Sequence, residues 1–205
     1  ILDGRKTSND IKDEIAESVK EIVASGSRAP HLAAVIVGED GASLTYVGSK
    51  VRACERVGFD STLVKLPETT SEQELLDKVN ELNNDQNIDG YIVQLPLPSH
   101  IDETKVFSTV SPEKDVDGFN PINVGKLMLG EKGGFVPCTP GGVHELLIRS
   151  GVIVEGAEVA ILGRGNIVGK PMAAILCQKE PNANATATIC HSRTLDVKRH
   201  CRSCL

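Results

Sequence analysis

Short apolar runs alternate with segments of helical periodicity along this chain, and that alternation constrains the fold more than any other feature. Residues 32–37, 61–66 and 88–95 have the length and composition of strands, with helical patterns between them. Strands joined by helices predict βαβ units, parallel sheets and right-handed crossovers. We therefore predict an α/β fold whose ligands bind beyond the carboxyl ends of the strands.

Local signals predict several helix ends. Ser8 or Asn9 is expected to cap the first helix, and Gly26 is expected to stop it. Ser71 with Glu74 forms the pattern of a capping box, which predicts a helix running on to about residue 82. Further along, Thr139 followed by a proline predicts the N-cap of another helix.

A pair of side chains early in the chain suggests proton chemistry. Tyr46 and Lys50 are four residues apart, so a helix would place them on one face. A phenol and an amine held that close can share a proton, which suits general acid–base catalysis. Gln94, at the predicted end of a strand, is expected to face the same crevice. The alternative is a surface helix with a half-buried tyrosine and a lysine that reaches into solvent.

A charged, proline-flanked loop over residues 111–121 separates the two halves of the chain. Its apolar residues favour an ordered, functional loop. Asp117 is a candidate to accept two hydrogen bonds from the edge of a heterocycle. In the alternative interpretation, Asp115 or Asp117 simply caps the helix predicted near Ile122.

A glycine-rich turn in the second half predicts a nucleotide site. Residues 158–162 have the pattern of a strand, Gly163, Gly165 and Gly169 follow, and a helix is predicted over residues 168–178. Strand, glycine turn and helix form the context of a dinucleotide fingerprint, although this spacing is one residue longer than the NAD type. An ordinary tight turn is the alternative.

The end of the next predicted strand, residues 186–190, favours one cofactor. An NAD site usually has a carboxylate there to bind the ribose, whereas this chain continues with His191, Ser192 and Arg193. Together with Arg164, hydroxyl and cationic groups suit a 2′-phosphate, so we predict NADP rather than NAD.

Composition excludes several partner classes. A formal net charge of -6 and only 3% aromatic residues argue against nucleic acid and anionic membranes as partners. No apolar run approaches the length of a membrane span, and no secretory segment precedes the six cysteines, so we expect reduced thiols and a cytoplasmic protein. Cys201 and Cys204, with Cys190 and His191, do not complete a common zinc pattern, and we predict no metal. Cys138 is expected to be a buried, inert, small apolar residue instead of a nucleophile.

Taken in order, these motifs resemble those of the bifunctional methylenetetrahydrofolate dehydrogenase/methenyltetrahydrofolate cyclohydrolase family. The resemblance covers nearly the whole chain. The matching segments are Ser43 with Tyr46 and Lys50, residues 93–98, residues 114–118, residues 137–140, Gly163 with Arg164, residues 167–171, and His191 with Ser192.

The resemblance implies a role for each candidate residue. Lys50 is implied as the catalytic lysine, with Tyr46 positioning the folate and Gln94 orienting the lysine. The implied substrate-binding residues also include Ser43, Leu95, Pro96 and Asp117, the last holding the edge of the pterin. The implied NADP-binding residues are Gly163, Arg164, Gly165, Ile167, Val168, Gly169, His191, Ser192, Arg193 and Thr139.

The resemblance also implies the reaction and the domain organisation. It implies oxidation of 5,10-methylenetetrahydrofolate with NADP, then hydrolysis to 10-formyltetrahydrofolate, by a homodimer that binds tetrahydrofolate derivatives. We expect a folate-binding catalytic domain over residues 1–138 and a Rossmann-like domain over residues 139–205. Family members usually have serine at the position of Gly165, and they continue past residue 205, so we expect the second domain to be incomplete at its C-terminus.

Two other functions are compatible with parts of the pattern. Short-chain dehydrogenases also use a tyrosine and a lysine four residues apart, but they place the pair after the glycine motif, whereas here it comes first. A non-catalytic module that binds folate or nucleotide is the other alternative.

Overall fold

The computed structural model describes residues 2–204, apart from the side chain of Ala42. The chain divides into two compact units. The N-terminal unit covers Arg5–Val116, and the C-terminal unit begins at Asp117 and includes the residues before Arg5. The expected functional boundary between residues 138 and 139 stays a prediction.

Helices and strands alternate in the N-terminal unit, as predicted. In chain order they are α1 (Gly4–Ala24), β1 (His31–Val37), α2 (Gly41–Val57), β2 (Asp60–Leu66), α3 (Glu72–Asn84), β3 (Gly90–Val93) and α4 (Glu103–Thr109).

A buried central strand organises this unit. β1 pairs in parallel with β2 on one side and with β3 on the other. Val35 belongs to a buried cluster with Leu75 and Val79 of α3, whereas Ile36 belongs to a second cluster with Val47 of α2. Each fully buried side chain of this kind contributes about 1.5–3 kcal/mol relative to an exposed one. Because successive side chains of a strand point to opposite faces, α2 and α3 are held on opposite faces of the sheet.

The C-terminal unit contains a two-stranded parallel sheet with helices around it. Its elements are α5 (Pro121–Leu129), α6 (Cys138–Arg149), β4 (Glu158–Leu162), α7 (Gly169–Leu176), β5 (Thr186–Cys190) and α8 (Val197–Arg202). Met172 and Leu176 of α7 form a buried cluster with Val154 and Ala185, and Ile161 of β4 packs against it. The predicted α/β class with parallel sheets is therefore confirmed.

The predicted strand, glycine turn and helix are present in this unit. Gly163 follows β4 with φ 138°, and its amide donates to the carbonyl of Cys190 at the end of β5 (2.8 Å). At Gly169, an added Cβ would lie only 2.1 Å from the Gly163 oxygen. Only glycine therefore lets the start of α7 approach the end of β4 this closely. The helix itself is shorter than predicted, since it ends at Leu176.

Some predicted helix ends are confirmed and others are wrong. The Ser71–Glu74 capping box is present, and Gly26 adopts φ 91° just after α1. However, α1 begins at Gly4 instead of after Ser8 or Asn9, and the Ser8 hydroxyl, already inside the helix, accepts from Lys12 one turn later.

Two further caps differ from prediction. Thr139 is not an N-cap, because α6 already begins at Cys138, with Pro137 before it and no side-chain cap. Cys138 itself is exposed, so its predicted burial is wrong. Asn120 caps α5 by accepting from the amide of Ile122 (2.8 Å), so the alternative in which an aspartate caps this helix is wrong.

The third strand is shorter than the predicted run 88–95. Ladder pairing ends at Val93, and Pro96 has no amide hydrogen to donate. The carboxyl end of β3 therefore opens into a loop, which frees the side chains after Val93 from the sheet. Within the described part of the chain, no helix is both long and apolar enough to cross a membrane.

An ion pair fastens the starts of β1 and β3. Both terminal nitrogens of Arg28 donate to Asp89, at 2.6 and 2.8 Å, and the amide of His31 donates to the same carboxylate (2.8 Å). The hydrogen bond from Arg28 is the main cause that lowers the pKa of Asp89 below its usual value.

We expect Asp89→Asn to make the free energy of unfolding less dependent on pH in the acidic range. A carboxylate with a lowered pKa stabilises the fold above its unfolded pKa of about 3.9, and this contribution is lost as the pH falls through the folded pKa. The urea midpoints of the variant and the parent should differ at neutral pH and converge as the pH falls below the ordinary aspartate pKa of about 3.9. Glu131→Gln, which removes an exposed carboxylate from the C-terminal unit, is the control, and its stability should stay within about 0.5 kcal/mol of the parent. An Asp89→Asn curve that stays equally far below the parent at every pH would contradict this assignment.

Gly169→Ala should lower the free energy of unfolding by about 1–3 kcal/mol, because the added methyl group overlaps the Gly163 backbone. Gly165→Ala is the matched control in the same turn, where an added Cβ meets nothing within 4 Å. We expect its stability to stay within about 0.5 kcal/mol of the parent. Urea unfolding followed by circular dichroism measures both, and equal effects would show that the close approach at Gly169 is not required.

Candidate active site

Helix α2 carries the predicted tyrosine–lysine pair. Asp40 caps this helix by accepting from the amide of Ser43 (2.8 Å), and Gly58 ends it in the left-handed conformation. Val47 is buried against the sheet, whereas Tyr46 is 67% exposed. The Lys50 ammonium nitrogen lies 6.0 Å from the centroid of the Tyr46 ring, so the two side chains share one face of the helix as predicted.

Gln94 meets this face from the end of β3. Its backbone amide donates to the carbonyl of Val35 (2.8 Å), which fixes the residue to the central strand. Its side-chain Nε2 donates to the carbonyl of Leu95 (2.7 Å), and its Oε1 accepts from Lys50 Nζ (3.4 Å). With Nε2 committed to Leu95, the acceptor oxygen of the amide is directed at the lysine.

The remaining predicted substrate residues of this unit surround the same strand end. Ser43 is buried, and its hydroxyl donates to the carbonyl of Leu95 (3.4 Å). Leu95 is half-buried and Pro96 is exposed, with a cis peptide bond between them. The structure thus brings together Ser43, Tyr46, Lys50, Gln94 and Leu95 in the N-terminal unit.

These groups have complementary proton-transfer abilities. An ammonium with one hydrogen bond to an amide oxygen keeps two N–H groups that can donate, and once it has lost a proton its lone pair can accept one. A neutral amide can orient that amine without adding a charge of its own. The arrangement therefore suits a general acid–base group at the carboxyl end of a parallel sheet, where α/β proteins bind ligands.

The loop over residues 111–121 contains residues that stabilise the fold and one candidate for ligand binding. Asp115 is buried and its backbone bridges to Tyr91 beside β3. Lys114 donates to the carbonyls of Leu82 (2.9 Å) and Asp85 (2.6 Å) at the end of α3, which satisfies acceptors that a helix terminus leaves open.

Asp117 opens the C-terminal unit and is half-buried. Gly118 follows with φ 68°, and an added Cβ there would come within 2.8 Å of the Phe135 oxygen. A glycine is therefore required next to Asp117, and the backbone that presents this carboxylate is tightly packed.

Candidate nucleotide-binding groups meet at the carboxyl ends of β4 and β5. A terminal nitrogen of Arg164 lies 3.3 Å from His191 Nε2, and the amide of Arg193 donates to His191 Nδ1 (3.1 Å). The amide of His191 donates to the Thr194 hydroxyl (2.8 Å), which closes the turn after β5. Ser192 and Arg193 are exposed on this turn.

The glycine turn itself is open to a ligand. A Cβ added at Gly165 would meet nothing within 4 Å, and Ile167 and Val168 are exposed although apolar. An open glycine backbone at a helix start, with cationic groups beside it, fits the phosphates of NADP. Thr139, also predicted to bind the cofactor, lies exposed in the first turn of α6 and not on this turn.

The sequence interpretation missed two residues that shape these sites. Asp40 holds the start of α2, and its position three residues before Ser43 is the usual signal of an N-cap. Lys114 was predicted only as part of the matching segment 114–118, and the binding of its side chain to the end of α3 was not predicted. Over residues 2–204 no group of three or more His, Cys, Asp or Glu side chains is placed to hold a metal ion.

Two family models match the chain. The tetrahydrofolate dehydrogenase/cyclohydrolase catalytic domain matches residues 2–117, and the NAD(P)-binding domain of the same family matches residues 137–204.

Curated relatives and solved structures agree with this. The bifunctional protein FolD of Flavobacterium johnsoniae is 56% identical over 197 residues, covering 96% of this chain and 66% of the relative. The crystal structure of the bifunctional enzyme FolD from Campylobacter jejuni superposes with a TM-score of 0.92 at 44% identity, covering 97% of this chain and 69% of that one.

A Trypanosoma brucei FolD structure, complexed with NADP cofactor and inhibitor, superposes with a TM-score of 0.91 at 38% identity, covering 100% of this chain and 69% of that one. The chain thus spans about two thirds of the length of the proteins that it matches. It belongs to the tetrahydrofolate dehydrogenase/cyclohydrolase family, as the motif order in its sequence predicted.

Proposed function

We propose that this protein oxidises 5,10-methylenetetrahydrofolate to 5,10-methenyltetrahydrofolate with NADP and hydrolyses the product to 10-formyltetrahydrofolate. The observation that carries the proposal is the hydrogen bond of Lys50 Nζ to Gln94 Oε1, in a unit matched by the family's catalytic domain. Family membership makes the two alternatives, a short-chain dehydrogenase and a non-catalytic binding module, the weaker interpretations.

We assign the proton transfers of the hydrolytic step to Lys50. Water adds to the cationic carbon of the methenyl bridge and loses one proton. The hydroxyl of this adduct then loses its proton as the formyl C=O forms, one carbon–nitrogen bond breaks and its nitrogen takes up a proton, so that one proton is released overall. An amine held by one acceptor can take the first proton and return one to the leaving nitrogen. We assign Gln94 to orient this amine, because its amide is fixed by Val35 and Leu95.

The remaining substrate residues are proposed to hold the folate. The exposed phenol of Tyr46 offers a flat surface beside the amine, and Leu95 and Pro96 border the strand end. Ser43 is assigned to this group through Leu95, because its buried hydroxyl donates to the carbonyl of Leu95. Asp117 is assigned to the pterin edge, where one carboxylate can accept two N–H donors.

The C-terminal unit is proposed to bind NADP, which supplies the hydride acceptor when bound. Gly163, Gly165 and Gly169 leave room for the pyrophosphate at the start of α7. Arg164, His191, Ser192 and Arg193 are assigned to the 2′-phosphate, and Ile167 and Val168 to the apolar wall beside it. Thr139 stays a proposed contact from α6.

Assembly and compartment are part of the same proposal. The six cysteines are free thiols, which suits the reducing cytoplasm. A homodimer is proposed from the family resemblance. We propose no nucleic-acid or membrane partner, in keeping with the negative net charge of the chain.

Lys50→Met should lower the rate of methenyltetrahydrofolate hydrolysis by about 100-fold or more, because it removes the proton-transfer group and keeps much of the side-chain volume. Loss of the methenyl absorbance after mixing measures this rate. Lys20→Met is the matched control, since it removes the same charge from the exposed surface of α1, and we expect it to retain the parent rate. Unchanged hydrolysis in Lys50→Met, or none in the parent protein, would refute the proposal.

A further inference from the structure

Two cysteines at the end of α8 lie outside both candidate sites. Cys201 and Cys204 are separated by two residues, and both are free and half-exposed. By contrast, Cys54 and Cys190 are buried. Both residues of the first pair are therefore partly open to solvent.

The backbone holds this pair at the spacing of one helical turn. α8 ends at Arg202, Ser203 keeps helical angles (φ -73°, ψ -9°), and the amide of Cys204 approaches the carbonyl of Cys201 (3.4 Å). Residues three apart in a helix have Cα atoms about 5 Å apart. Cysteines joined by a disulfide have Cα atoms roughly 4.4–6.8 Å apart, so the backbone already satisfies this requirement.

Closure of a disulfide would need only a small local movement. The Cβ atoms must approach from about 5–6 Å to about 3.5–4.5 Å. This movement falls after the last residue of α8, where the helical ladder has ended. The Cys204 thiol would give up its hydrogen bond to the carbonyl of His200 (3.3 Å), a weak bond to sulfur.

We propose that Cys201 and Cys204 form a thiol–disulfide exchange site for small aliphatic disulfides such as oxidised glutathione. One thiolate attacks a sulfur of the small disulfide, forms a mixed disulfide and releases one small thiol. The second thiolate then attacks the protein sulfur of that mixed disulfide and releases the other small thiol. Two protein thiols are oxidised to one disulfide, and the small disulfide takes up the two electrons and two protons.

The short loop makes the site reversible. A disulfide stabilises the folded state mainly by restricting the unfolded chain, and the restriction grows with loop length. With only two residues between the cysteines, the disulfide adds little stability to the folded state, so excess small thiol should reduce it again. This inference does not depend on the proposed folate chemistry.

Peptide mapping tests the proposal directly. The folded protein is equilibrated with oxidised glutathione, free thiols are alkylated, and trypsin then cleaves after Arg202, between the two cysteines. We expect the peptide that starts at His200 to remain joined to the peptide that starts at Ser203 in most molecules. Treatment with reduced glutathione should separate them.

Two variants complete the test. Cys177→Ser, which removes an exposed cysteine at the end of α7, should leave the link intact. Cys201→Ser should leave Cys204 carrying glutathione, because the second attack is lost. Modification of the exposed Cys177 in the parent protein shows that oxidised glutathione has reacted. If Cys201 and Cys204 are then recovered as separate alkylated or glutathione-bearing peptides, the proposal is overturned.

Discussion

The hydrogen bond from Lys50 to Gln94 joins the helix α2 to the end of β3, and the candidate site of the N-terminal unit depends on it. Each partner is fixed separately before they meet. The capping of α2 by Asp40 places the lysine, and the bond from the Gln94 amide to Val35 ties the glutamine to the central strand. A flexible amine thereby gains one defined orientation from a rigid sheet, as proton transfer to a bound ligand requires.

The parts of the fold that could be predicted are those coded by nearby residues. Apolar runs predicted the bounds of β1 and β2 within one residue. For β1 the reason is burial on both faces, which favours an unbroken apolar run. The Ser71–Glu74 box and the turn from Gly163 to Gly169 were also predictable, since each depends on contacts within a few residues. Of the site, the shared face of Tyr46 and Lys50 followed from helical spacing alone.

Most of the parts that could not be predicted depend on residues far apart in sequence. Lys114 binds carbonyls of α3 about thirty residues earlier, and Asp115 bridges to Tyr91. Asn120 displaced the nearby aspartates as the cap of α5, which local preference alone does not decide because Asn and Asp cap about equally well. Sheet topology predicted that Gln94 lies near Lys50, 44 residues away. It did not predict that the Gln94 amide nitrogen binds the Leu95 carbonyl and so turns the amide oxygen towards the lysine.

A crystal structure with a bound 5,10-methylenetetrahydrofolate analogue tests the central claim most directly. We predict that Lys50 Nζ lies within about 2.6–3.2 Å of the one-carbon bridge, or of a water that contacts it, while Gln94 Oε1 still accepts from the lysine. A ligand whose bridge lies away from the end of β3, with the Lys50 amine turned into solvent, would contradict it.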